Sequence, residues 1–163
     1  TSQEEIIDEI GERTGKLTHS WITDSHLVTF KSLFFKNVGS PSAVVIRKSC
    51  FDSVGYFDES KDKKNIEDID YWLRFSSKFK IMYINQVLGY FRMHNLNESY
   101  INDIQMLNSY YLRKNLVEKK TKEIYPFYNL AKLHLIKLKL KIALFYFRKK
   151  RPLDSLNWIL KIN

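Results

Sequence analysis

Cysteine is almost missing from these 163 residues. Cys50 stands alone, so no disulfide framework can form within the chain, and this usage fits a reducing compartment. Long apolar runs are missing as well. None approaches the roughly 18 residues needed to span a bilayer, and no secretory leader pattern opens the sequence. The five glycines include no glycine-rich phosphate loop, and there is no internal repeat or low-complexity tract. Acidic residues are scarce in one region only. Residues 111–163 hold 14 Lys+Arg against 3 Asp+Glu, a net of +11, whereas residues 1–110 hold 13 against 15, a net of −2. The basic character therefore belongs to the tail and suggests an acidic partner surface for it, anionic lipid and nucleic acid being the usual candidates.

Apolar residues at 44% and aromatics at 15% exclude a disordered chain, since such a composition has ample surface to bury. The length suits one domain plus an appendage. The sequence opens on Thr1 rather than Met, and we read it as a piece of a longer polypeptide. Cys50 reads as a small core residue rather than a nucleophile.

Along the chain, Gln3 to Ile10 reads as a polar helical run with Ile6, Ile7 and Ile10 on one side, broken by Gly11 and Gly15. Leu27 to Phe35 fits a helix or a strand equally. Asn37 to Ser42 is a loop by composition, and Ala43 to Arg47 suits a short buried strand. A short helix over Lys48 to Val54 is capped by Gly55, and a charged loop, Glu59 to Lys64, follows. Lys80 to Ile84 and Val87 to Met93 read as two strands of a hairpin turning at Asn85-Gln86. Beyond them the pattern is helical: Ser99 to Lys120, with Ile101, Ile104, Leu107, Tyr111 and Leu112 near one face; Tyr128 to about Lys150, after Pro126; and Leu153 to Ile162, started by Pro152.

The most informative stretch is Asn65-Ile66-Glu67-Asp68-Ile69-Asp70-Tyr71-Trp72-Leu73-Arg74. Asn65 can cap a helix whose first turn holds Glu67 and Asp68, where acids meet the positive end of the helix dipole. Ile69, Trp72, Leu73 and Ser76 make an inward stripe, and Asp70 can pair with Arg74 four residues on. Acids in a first turn are also ordinary helix chemistry, so the motif gains meaning only from its company.

That company is Val38-Gly39-Ser40-Pro41-Ser42-Ala43-Val44-Val45-Ile46-Arg47-Lys48, then Val54-Gly55-Tyr56-Phe57-Asp58, then Glu67 to Arg74, then Tyr90-Phe91-Arg92-Met93-His94, in that order. Over roughly residues 35–98 the chain resembles the C-terminal half of a family 2 glycosyltransferase with the GT-A nucleotide-sugar fold. The resemblance implies an α/β fold: a partial, acceptor-side GT-A-type domain over residues 1–98, followed by an all-helical basic extension over 99–163. It implies inverting transfer of a sugar from a nucleoside-diphosphate sugar donor to a glycan or lipid-linked acceptor, in polysaccharide biosynthesis at the cell envelope. Asp68 is the matching general base, for a carboxylate must take the proton of the attacking hydroxyl, and Glu67 is a supporting acid. Gly39, with Ser40, matches the loop beside the sugars, where a missing side chain allows close backbone approach; it reads equally as a turn glycine. Trp72 is a core anchor or a sugar-stacking surface, and Arg74 a substrate contact or the partner of Asp70. His94 matches a histidine that in many relatives helps hold a divalent metal, Mn²⁺ or Mg²⁺; otherwise it is an exposed turn residue.

One departure matters. The family's nucleotide-binding strands and Asp-x-Asp metal motif lie upstream of everything seen here. Asp24-Ser25-His26 is not that motif, and Asp68-Ile69-Asp70 has its spelling in the wrong place. By itself this chain is expected to hold a nucleotide sugar poorly. The rival reading is a non-catalytic remnant or interaction module built from the same fold piece.

In the tail, Leu133, Ile136, Leu140, Leu144 and Phe147 form an apolar stripe with Lys132, Lys137, Lys139 and Lys141 around it, and Arg148-Lys149-Lys150-Arg151 closes it. The stripe reads as a packing face of a helical hairpin. The basic cluster fits either an anionic membrane surface or plain solvation. No nucleic-acid reading motif is present, so nucleic acid is not an expected partner. The expected location is the cytoplasm, or peripherally the inner face of the membrane.

Overall fold

A computed structural model of the chain describes residues 1–94 and 103–160. They divide into two compact units, one of Thr1–Glu59 with Glu67–Tyr100, the other of Ser60–Ile66 with Ile101–Asn163.

The first unit is mixed α/β. Its sheet has strands β1 (Ser2–Ile7), β2 (Arg13–Leu17), β3 (His26–Val28) and β4 (Ile81–Arg92), in the order β2-β1-β4-β3. β1 and β4 run parallel, and the other two pairings are antiparallel. The helical reading of Gln3 to Ile10 is thus overturned over Ser2–Ile7. Paired on both edges, β1 buries Ser2, Gln3, Glu4 and Glu5, and several of their polar atoms find partners, although Gln3 Nε2 and Glu4 Oε2 find none among the described residues. Arg13 Nε donates to Glu5 Oε2 at 2.8 Å, Ser42 Oγ to Glu4 Oε1 at 2.7 Å, and the His19 N–H to Gln3 Oε1 at 3.0 Å.

The hairpin at Asn85-Gln86 is also corrected: β4 runs unbroken through both residues. The polar pair marks a bulge, since Ser2 lies opposite Ile84 while Gln3 already lies opposite Val87. Extra residues on one strand bend it without ending the ladder. The Asn85 N–H is taken up by Ser25 Oγ at 2.9 Å.

Three helices complete this unit. The ambiguous stretch from Leu27 resolves into the end of β3 and α1 (Phe30–Phe35), divided by Thr29, whose capping box with Ser32 starts the helix. α2 (Ser49–Val54) ends as expected at Gly55, which stands at φ +82 while its N–H donates to the Phe51 carbonyl. The strand expected over Ala43 to Arg47 does not form. Pro41 opens a single 3₁₀ turn, Pro41–Ala43, and Val45 beyond it is 96% exposed.

α3 (Glu67–Ser76) carries the acidic motif. It is buried more widely than a single stripe: Asp70, Tyr71, Trp72, Leu73 and Phe75 are all enclosed, with Phe34, Leu33 and Tyr83 also in the core. Asn65 is not its cap. That residue stands at φ +63, the left-handed region Asn tolerates, rather than in the extended conformation of an N-cap, and its carbonyl accepts from Gln105.

The second unit is helical: α4 (Asp103–Glu118), α5 (Tyr128–Arg148) and α6 (Pro152–Leu160). Ser99 to Asn102 of the expected first helix, and the last two residues of the expected third, lie outside the described residues. Tyr110, Ile142, Ala143, Tyr146 and Trp158 form the core, with Tyr110 edge-on to Trp158 at 5.3 Å. α4 turns Tyr110, Arg113 and Val117 inward; of the expected face, Leu107 packs against the core, Ile104 and Tyr111 are exposed, and Ile101 lies outside the described residues. α5 likewise buries Ala131, Ile142, Ala143 and Tyr146, while the stripe assigned to packing faces out. Arg151 closes the turn before α6, pairing with Asp154 at 2.8 Å and lying over the Tyr146 ring.

Candidate active site

The site begins with Asp68 in the first turn of α3. The position is forced by the helix start, and the following turn is pinned by Trp72 in the core, so the carboxylate is held rather than free on a surface. Burial pushes its pKa up to about 6 from the usual 3.8, and the charge of neighbouring Glu67 adds to this. Hydrogen bonds to the ionised form pull the other way. The Ile69 N–H donates to Oδ1 at 2.7 Å, and Asn37 Nδ2 donates to Oδ2 at 2.9 Å.

Asn37 is a residue the sequence reading passed over as loop. Its Oδ1 also accepts the Gly39 N–H at 3.1 Å, an Asx turn of the kind an Asn two residues before a glycine can make. One amide therefore ties the acid to the Gly39 loop. Gly39 is held from the other side too: Trp72 Nε1 donates to its carbonyl at 2.8 Å. A Cβ added at Gly39 would fall 2.6 Å from Trp72 Nε1. The close approach that requires glycine here is to the indole of Trp72.

Gly39 and Trp72 line a cavity of about 770 Å³, within the range of small-molecule sites. Its other walls include Ser42, the irregular segment Val44 to Arg47, Cys50, Lys80 and Met82. The failed strand is thus cavity wall. Neither Asp68 nor Asn37 lines the cavity; the acid is linked through the Asn37 amide to Gly39, which does. Cys50 is buried, as expected of a small core residue.

The other candidates are placed as follows. Glu67 is exposed beside Asp68. Ser40 precedes the 3₁₀ turn and bonds Ser42 at 2.8 Å, through which the loop connects to Glu4 of β1. Trp72 is 4% exposed and packs edge-on to Tyr71 and Phe57. Arg74 serves the fold: its Nε pairs with Asp70 at 2.8 Å, while Nη1 and Nη2 donate to the carbonyls of Val54 and Tyr56. Each of its three nitrogens is engaged, which fixes the Gly55 turn against α3. His94 lies just beyond the end of β4.

Among the described residues no three His, Cys, Asp or Glu side chains gather where a metal could be held. His94 belongs to no such group among the described residues, so no metal step is derived from it. Among the described residues no helix is long and apolar enough to cross a membrane. Comparison with protein-family models, curated proteins and solved structures gave no significant match to the chain.

Proposed function

We propose that this chain is the acceptor-side part of an inverting glycosyltransferase of the family 2, GT-A type, acting on a nucleoside-diphosphate sugar. The observation that carries the reading is the Asn37 bridge, which ties the part-buried Asp68 carboxylate to the backbone of Gly39, a residue of the cavity wall. An acceptor hydroxyl brought beside Asp68 gives its proton to a carboxylate oxygen as its own oxygen bonds to the anomeric carbon. The bond from that carbon to the diphosphate breaks, and the nucleoside diphosphate leaves with the electron pair. A base with a pKa of about 6 is mostly ionised near neutrality yet binds a proton more readily than an ordinary aspartate, which suits general-base catalysis. Gly39 and Trp72 shape the sugar-facing wall, and Ser42 lines the same cavity. The donor sugar, its base and the acceptor are set by contacts these residues do not specify.

The test is turnover of a panel of nucleotide sugars by the native-length protein, with candidate acceptors, with Mn²⁺ and with chelator. Release of one nucleoside diphosphate is expected, lost in Asp68→Asn while donor binding persists. Full activity in that variant removes Asp68 from the mechanism. Silence across the panel from a folded protein favours the rival, an interaction module of the same architecture.

A further inference from the structure

The second unit leaves an apolar surface uncovered. On α5, Leu133, Ile136, Leu140, Leu144 and Phe147 are 41% to 64% exposed, at spacings of three and four that make one stripe. The opposite side of the helix supplies the core. α6 repeats the pattern, with Leu153, Leu156 and Leu160 exposed while Ser155 and Trp158 are buried. Exposed apolar patches of this kind mark interaction sites.

The charges around the stripe indicate the partner. Lys137, Lys141 and Arg148 run along one border of it and Lys132 along the other, and from Tyr128 to Arg151 there is no Asp or Glu. A second copy would bring the same positive borders together, which like charge disfavours. Nucleic acid would use the lysines but find no role for a row of leucines.

We infer that α5 and α6 lie on an anionic lipid surface, the apolar stripes entering the headgroup–acyl boundary and the flanking lysines reaching the headgroups. Lysine suits this because its stem can cover apolar surface while its ammonium stays in the polar layer. The helices lie on the bilayer, since none described is apolar enough to cross it. This does not depend on the proposed catalysis.

Co-sedimentation of the chain with vesicles tests it, comparing phosphatidylcholine alone with phosphatidylcholine mixed with phosphatidylglycerol. Binding to the mixed vesicles is expected, weakening as salt rises. Leu133→Asp and Leu140→Asp each lower the partition coefficient about tenfold. Lys137→Gln and Lys141→Gln each lower it about fivefold. All four sites are exposed, so an unchanged far-UV spectrum shows that the fold is kept. No sedimentation with anionic vesicles overturns the inference. So does binding insensitive to the leucine variants, which would rest on charge alone, and so does a dimer in solution that Leu133→Asp dissociates.

Discussion

Asp68→Asn should make the protein more stable near neutral pH while it removes the proposed base. The folded state raises the Asp68 pKa from 3.8 to about 6, so the native state binds this proton more tightly than the unfolded chain does. Between those values stability falls as pH rises, and the full cost remains above the folded value. A shift of about 2 units corresponds to about 3 kcal/mol. Asparagine escapes that cost but presents one acceptor where the carboxylate presents two, so either the Asn37 or the Ile69 hydrogen bond is lost, at about 1 kcal/mol. The net expectation is a variant about 2 kcal/mol more stable than the parent at neutral pH, an advantage that vanishes as both are taken below the carboxylate range.

Urea unfolding of both proteins across this range, followed by tryptophan fluorescence, reads the difference. The comparison matters because His19 and His134 slope the other way. Burial holds both imidazoles below 6.5, His134 at about 4, so each contributes stability above 6.5 that is lost as pH falls. They are common to both proteins and cancel in the difference. A gap that does not widen between pH 4 and neutrality, or a variant weaker than the parent at neutral pH, would refute the claim that Asp68 is held at a cost to the fold. Such a cost is what a functional carboxylate imposes and a decorative one does not.

Three further outcomes follow from the same contacts. Gly39→Ala drives a methyl into the Trp72 indole and should cost about 2 kcal/mol in urea unfolding, with a shifted Trp72 emission, because the partner is a buried ring with little room to yield. Asn37→Ala removes a bond to the ionised form of Asp68, so the acidic limb of the pH–rate profile should move to higher pH. A profile unchanged in position would detach Asn37 from the base. Arg74→Ala leaves the Asp70 carboxylate enclosed without its partner and two carbonyls without donors, a loss of about 3 kcal/mol. Arg74→Lys should recover little of it, since an ammonium cannot reach three acceptors in the guanidinium geometry.

Elements set by neighbours in sequence were legible. α2 with its glycine cap, α3 with its acidic first turn, and the Asp70–Arg74 pair all follow from spacings of three or four residues. β1 was not, because Gln3-Glu4-Glu5-Ile6-Ile7 is locally as good a helix as a strand. What decides it is pairing with β4, some eighty residues away, and burial of acids whose partners sit on other elements. The Asn85-Gln86 step failed in the same way: turn chemistry and a bulge use the same polar residues, and only the strand alongside distinguishes them. α5 had a different ambiguity. It carries apolar residues on two faces, Leu135, Leu138 and Ile142 as well as Leu133, Leu140 and Leu144, and periodicity finds a stripe without saying which way it faces.

The site shows the same division more sharply. Asp68 could be singled out because a helix start, an acid pair and an aromatic anchor lie within ten residues, in the company of the stretches that carry the family resemblance. Its controlling partner could not, since Asn37 acts across 31 positions and looks locally like loop. Yet Asn37, Gly39 and Trp72 depend on one another. The amide fixes the glycine N–H, the indole fixes its carbonyl, and the absence of a Cβ lets the ring approach. Removing any one of the three releases the loop that carries the amide, and with it the hydrogen bond to Asp68. The physical unit of the site is therefore a closed circuit of α3, the Gly39 loop and the carboxylate, so the pH dependence of Asp68 should respond to substitution at Gly39 and Trp72 as well as at Asn37.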